Sequence, residues 1–433
     1  MSEFFEIAYA AAARRLCIFT GTGFSKALTA NAAPGWQELL ETICDQQIGN
    51  KAFKAALFPS VGVNSLQLDE AAQVIAIELT KIGKDIHEEI AALISSVALS
   101  GNYPETQKFF ENRSFRVATT NYDKLAETLA GEGCQSLSPG RPIPRSSSRV
   151  KVYHVHGSTE VPGRMIVTAD DYFKFMHSES YFSRKLSTVL HENTVVIIGY
   201  SLGDTNLKSI LNDYRGFVIN HVVSNSIFFV SHKPVDRRIS DYYSNCYGIR
   251  VISNTGVEEF FKALNDTFVD VEKCLEDSVN NIKKVLYEDH AFEEIYLQVE
   301  SSFYEIVSSI GAVGASLEED VVVETFQDVI SKKMALTGQS GAWPQYVQLA
   351  SWLTYLGSLI DVRKTAVETT FLKAVRFSMD HMSKSMKLGY SWHAYKVWDA
   401  RWSSISADNR ALIAKSILEC STEADAIEVV SRG

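Results

Sequence analysis

The sequence predicts an α/β chain: a doubly wound parallel sheet with a helical insertion, followed by an all-α C-terminal domain. Three observations predict it. Short apolar runs of strand length recur through the first 255 or so residues. Stretches with helical periodicity alternate with them. Beyond Val257 the apolar residues keep a helical spacing, and of the nine prolines only Pro234 and Pro344 lie after Pro162.

The elements follow in chain order. The N-terminal MSEFFEIAYAAAARRL has the pattern of an amphipathic helix, and its acids precede its arginines, the reverse of a signal peptide. Leu16–Thr20 (LCIFT), Phe115–Thr119 (FRVAT), Val195–Gly199 (VVIIG) and Ile227–Ser231 (IFFVS) read as buried parallel strands. Val152–Val155 is a shorter fifth, and Ile249–Ser253 follows a Tyr-Gly turn as a sixth. Residues 36–110, between the first two strands, are too many for a simple crossover and predict an inserted helical subdomain. Gly131–Val150, rich in Gly, Pro and Ser, reads as loop. The expected division is a sheet domain over 1–275 and a helical domain for assembly or regulation over 276–433.

Bulk composition narrows the function. The 433 residues carry a net charge of −10, which argues against strong nucleic-acid binding by this chain alone. No apolar run approaches the roughly 20 residues that cross a bilayer. The six cysteines are far apart and form no C-x-x-C pair, as expected of reduced thiols in a cytoplasmic protein with no structural zinc.

Four strand ends carry polar residues of chemical interest. The first is Gly21-Thr22-Gly23-Phe24-Ser25, where glycines let backbone N–H groups approach a phosphate and the next helix adds its positive end. Lys26 stands where a dehydrogenase fingerprint has its third glycine, so the turn is of another type, and a purely structural turn fits it as well. The second is Thr119-Thr120-Asn121-Tyr122-Asp123. Asn121 can orient water or a ribose hydroxyl; Asp123 can hold an amide or cap the following helix. The third is Tyr153-His154-Val155-His156-Gly157-Ser158, where alternation sends both histidines to one face if the strand persists through them. The fourth, Gly199-Tyr200-Ser201-Leu202-Gly203-Asp204, again ends a strand in glycine, with Ser201 able to meet phosphate or ribose. Each has a bland reading as turn or cap. Together they put two Gly-rich turns, an amide and an imidazole along one sheet edge, as a dinucleotide pocket with an acid–base group needs.

The order GTGFS, TTNYD, HGS, GYSLGD resembles the sirtuin-like family, most closely the branch found in bacterial antiviral systems that consume NAD. Pro34-Gly35-Trp36 and Thr168-Ala169-Asp170-Asp171-Tyr172 fit that branch too. The resemblance spans residues 8–255 and implies a Rossmann-type NAD site. Gly21, Thr22, Gly23, Phe24 and Ser25 match its phosphate-and-ribose loop. Thr120, Asn121, Tyr122 and Asp123 match the motif beside the nicotinamide ribose, His156 the catalytic histidine, and Gly199 and Ser201 the adenosine side. Protein-deacylating members carry a four-cysteine zinc module between the His motif and the Gly-Ser element, whereas Gly157 to Ile198 here contains no cysteine. The resemblance therefore implies NAD⁺ as a substrate hydrolysed to nicotinamide and ADP-ribose, with Asn121, His156 and Asp123 in catalysis and no zinc. It also implies a homo-oligomer, with a hexameric HerA-type ATPase as partner. The alternatives are a protein deacylase, a non-catalytic NAD or ADP-ribose sensor, and an accompanying nuclease activity, for which no paired-carboxylate metal cluster is visible.

Overall fold

The computed structural model describes residues 2–60, 63, 64, 66–142, 147–177, 181–200, 211 and 226–432. Helix α1 (Ser2–Ala12) leads into β1 (Leu16–Thr20), and α2 (Thr22–Leu28) starts two residues after it. The inserted helices α3 (Trp36–Ile43), α4 (Lys51–Leu57), α5 (Leu68–Lys81) and α6 (Ile86–Ser95) follow, and α7 (Pro104–Asn112) returns the chain to β2 (Phe115–Thr119). Then come α8 (Leu125–Ala130), β3 (Cys134–Leu137), β4 (Val150–His154), α9 (Ala169–His177), α10 (Tyr181–Glu192), β5 (Thr194–Ile198), β6 (Ile227–Val230) and β7 (Ile249–Ile252).

The seven strands form one sheet in the order β3-β4-β2-β1-β5-β6-β7, and each neighbouring pair is parallel. This is the doubly wound arrangement expected. β1 and β5 are buried at every position, because helices cover both faces and the strands are apolar throughout. The strand order reverses between β1 and β5, so the crevice for a ligand opens beyond their C-terminal ends.

Two expectations change. Cys134–Leu137, inside the stretch read as loop, is the edge strand β3. It pairs with β4 alone and alternates half-buried and buried residues, so it lacks the apolar run that marks the inner strands. The second concerns the division at 275/276, which falls inside one helix, Val257–Tyr287. A single hydrophobic core joins Ile18, Val117 and Val196 of the sheet to Phe260, Phe303, Trp352 and Trp398 of the helical part. In that core Trp352 stacks on Phe303 at 4.9 Å. Trp398 and Trp402 are buried too, whereas Trp343 is 55% exposed. Burying side chains of this size contributes about 1.5–3 kcal/mol each.

The insertion keeps a core of its own. Leu39, Leu40, Ile43, Ile75, Leu79, Ile90 and Ile94 pack together and take in Tyr122, Met165 and Val167 from the loops after β2 and β4. α7 lies outside that core; its Phe109 and Phe110 join the main one. No helix among the described residues is long and apolar enough to cross a membrane.

Candidate active site

The register places the loops in one row. Thr20 pairs with Thr119 and with Ile198, and Thr119 pairs with His154, so β1, β2, β4 and β5 reach the same level. At a parallel-strand spacing of about 4.8 Å, His154 to Ile198 spans roughly 14 Å. Gly21, Asn121, His156 and Gly199 all lie just past this row, in the loops that leave it.

A chain of hydrogen bonds ties the first two loops. Ser25, 2% exposed on α2, donates its hydroxyl proton to Asp123 Oδ2 at 2.7 Å. Its oxygen accepts from Asn121 Nδ2 at 2.8 Å. A carboxylate only accepts, so the single Ser25 proton is committed to it and the amide nitrogen of Asn121 must face Ser25. That leaves Asn121 Oδ1 as the acceptor turned away from Ser25. The other Asp123 oxygen accepts from the Leu125 N–H at 3.1 Å. Burial raises the Asp123 carboxyl above its ordinary range, with the Ser25 bond opposing it. Asp123 thus has both oxygens engaged in holding the loop, and of its two expected roles the supporting one matches the geometry.

The glycines act differently from expectation. The Gly23 N–H, expected to face a phosphate, donates to the Gly199 carbonyl at 2.7 Å, and the Phe24 N–H donates to the Gly21 carbonyl. A Cβ on Gly199, where φ is +62°, would lie 2.0 Å from the Phe24 nitrogen. The glycines at 23 and 199 therefore let the β5 loop close onto the first turn of α2. Phe24 is 2% exposed with its ring against Phe110. Tyr122 is buried as well; its hydroxyl donates to the Ile166 carbonyl and its ring meets Trp36 edge-on, which joins the insertion to the β2 loop. Thr22 and Thr120 are half-buried. Ser201 lies outside the described residues.

The two histidines part company because β4 ends at His154. Past it, the Val155 N–H still bonds the Thr119 carbonyl, but Gly157 turns the chain, its N–H donating to the His154 carbonyl. His154 is fully buried, with Nδ1 3.1 Å from the Asn121 carbonyl and Nε2 2.7 Å from Glu127 Oε1. His156, 5% exposed, takes the edge-to-face contacts of Tyr172 at 5.4 Å and Phe175 at 5.8 Å, both on α9.

α9 is itself anchored. Asp171 Oδ2 accepts from the Val167 and Thr168 N–H groups and the Thr168 hydroxyl, and meets His87 Nε2 of the insertion at 2.9 Å. Although burial opposes it, His87 and these donors hold the Asp171 carboxyl down to about 2. His87 is raised in turn, chiefly by the bond to Asp171. Glu127, Asp171 and His87 were not legible as site residues, since their partners lie 27 and 84 positions away. The one sequence signal was Asp171 within the TADDY segment.

Among the described residues no group of three or more His, Cys, Asp or Glu side chains could hold a metal ion. The described cysteines, Cys17, Cys44, Cys134, Cys246 and Cys420, are free thiols.

A family model for the SIR2-like domain matches residues 116–252, which run from β2 through β7. Defense-associated sirtuin 2 of Bacillus subtilis is 24% identical over 244 residues, covering 55% of this chain and 23% of that protein. The NAD(+) hydrolase ThsA of Bacillus cereus is 31% identical over 102 residues, covering 22% of this chain and 21% of the relative. The ThsA of Enterococcus faecium is 25% identical over 162 residues, 34% of each. The chain thus spans between a fifth and about a third of the length of these relatives. Residues 116–252, which hold the His-Gly-Ser turn and strands β2 to β7, are thus similar to a SIR2-like domain.

Proposed function

We propose that the chain is an NAD⁺ glycohydrolase that releases nicotinamide and ADP-ribose and acts in bacterial antiphage defence by depleting NAD⁺. The observation that carries this reading is the Asp123–Ser25–Asn121 chain, which fixes the Asn121 amide in the loop after β2, one strand from the switch point of the sheet. The names of the relatives, a defence sirtuin and NAD(+) hydrolases, agree with it.

The chemistry asks little of the protein. Nicotinamide is cationic in NAD⁺ and leaves as a neutral molecule when the glycosidic C–N bond breaks. The ribose left behind is oxocarbenium-like, and the oxygen of a water forms the new bond to its anomeric carbon. Asn121 Oδ1 accepts a hydrogen bond from that water or from a ribose hydroxyl and so aims it. His156 takes the proton the water loses. Acid–base help of this kind contributes about 10²–10⁴-fold. Asp123 acts through Ser25, as a support.

The test is nicotinamide release from NAD⁺ by the purified chain, alone and with a HerA-type ATPase, beside Asn121→Ala and His156→Ala. A loss of at least about a hundredfold in each variant is expected. Unchanged rates in both would remove these roles. An acyl-peptide assay is expected to show no turnover, in keeping with the cysteine-free stretch from Gly157 to Ile198.

Control by self-assembly or by a partner ATPase belongs to the same reading. Exposed apolar side chains on the helical part support it: Trp343, Met386 and Leu388, the last 94% exposed. Light scattering on the purified chain is expected to give an oligomer, and a monomer at all concentrations would count against it.

A further inference from the structure

We propose, on the hydrolase reading above, that Glu127 and His154 are a positioning pair that sets the Asn121 peptide for cleavage of NAD⁺. The pair lies at the end of β4 and on α8, beneath the loop after β2. His154 Nδ1 meets the Asn121 carbonyl at 3.1 Å and Nε2 meets Glu127 Oε1 at 2.7 Å. A carbonyl oxygen and a carboxylate both only accept, so both ring nitrogens must donate. The imidazole is therefore a cation, paired with the Glu127 carboxylate.

The surrounding charges fit that state. On the α8 side Lys124 lies 2.9 Å from Glu127 and 3.2 Å from Glu160, and on the loop Asp123 lies close enough to feel the ring's charge. Burial opposes the Glu127 carboxylate, yet the bond and charge of His154, with Lys124, hold it down to about 2. The imidazole, Lys124 and Ser136 together hold this buried carboxylate in its charged form.

What the pair touches is the second part of the argument. The Asn121 N–H bonds Thr119 Oγ1 at 3.0 Å, its Nδ2 bonds Ser25, and its carbonyl bonds His154. Three handles of one residue are held, and among the described residues no hydrogen bond engages its side-chain oxygen. The sheet does not need an ion pair here. Val150 and Val152 precede His154 at alternate positions of β4, and both fill the core with apolar groups. A buried ion pair in their row, aimed at one peptide carbonyl, is explained by what that carbonyl carries.

Two variants of the full chain test this. Glu127→Gln keeps the shape and removes the charge; His154→Leu keeps the row buried and removes the donor. In each, kcat for nicotinamide release is expected to fall about 10- to 100-fold, with the KM for NAD⁺ within about twofold. A merely structural pair would lower the yield of folded protein and leave kcat per folded chain unmoved. Independently, ¹⁵N shifts of histidine-labelled chain, with His154→Leu for assignment, are expected to show both ring nitrogens protonated at pH 7.5. Wild-type kcat in both variants, or a bare ring nitrogen at that pH, overturns the proposal. Should the wild-type chain release no nicotinamide in any assembly, the hydrolase reading fails by itself, and the ring state still decides the pair.

Discussion

Replacing Asp171 by Asn is expected to loosen the insertion from the loop that carries His156. Asp171 accepts from two backbone N–H groups and a hydroxyl at the start of α9 and from His87 at the start of α6. Its carboxyl moves from the ordinary 3.8 to about 2. At about 1.4 kcal/mol per pH unit that difference is worth roughly 2 kcal/mol. The sign follows from the direction. A carboxyl lowered in the folded state stabilises above its unfolded value, near pH 4, and that contribution is lost as the pH falls towards 2. Asp171→Asn should therefore cost about 2 kcal/mol at pH 7 and converge on the wild type near pH 2. Denaturant unfolding followed by tryptophan fluorescence at several pH values reads this, since Trp36 reports on the insertion. His87→Ala alone and combined with Asp171→Asn closes a double-mutant cycle, with an expected coupling of about 1–2 kcal/mol. Because Tyr172, the next residue, packs on His156, nicotinamide release should fall as well. Parallel wild-type and variant curves from pH 7 to 3, together with a coupling below about 0.3 kcal/mol, would refute the reasoning.

Other outcomes follow from single contacts. Gly199→Ala puts a methyl 2.0 Å from the Phe24 nitrogen at a φ of +62°, so it should separate the β5 loop from α2 and abolish NAD⁺ binding, read by calorimetry. Arg250→Ala strands the Glu6 carboxylate, which the guanidinium meets at 2.6 Å with side chains 12% and 7% exposed; a loss of about 3–5 kcal/mol is expected from denaturant unfolding. Arg250→Met with Glu6→Gln should cost much less, since no unpaired charge remains. Phe24→Leu should leave the KM for NAD⁺ near wild type, because the ring is buried against Phe110.

Strand legibility followed burial. β1 and β2 are readable to the residue because each is a short apolar run closed by a polar or glycine turn. β3 was hidden, since an edge strand of four residues shows half its side chains to water and looks like loop. The insertion was legible in extent but not in membership: α7 carries the same helical period as its neighbours, and only packing assigns Phe109 and Phe110 to the main core. For the site, Ser25, Asn121 and His156 were named from strand-end position. The spacing of His154 and His156 put them on one face only if the strand ran through both, and β4 stops at the first of them. Glu127 carried no signal beyond a Lys-Glu helix pair with Lys124, since its partner comes from another strand.

The sequence by itself determined the parallel sheet, the strand ends that carry the glycines and polar side chains and the absence of a cysteine cluster between His156 and Gly199, because periodicity, glycine and residue type are local properties. Only the tertiary structure decided which hydrogen bonds those residues make: Gly23 to Gly199, Ser25 between Asn121 and Asp123, His154 between Asn121 and Glu127. The physical reason is that a donor's partner is chosen by distance and direction across the folded core, where residues 27 to 176 positions apart come within 3.1 Å.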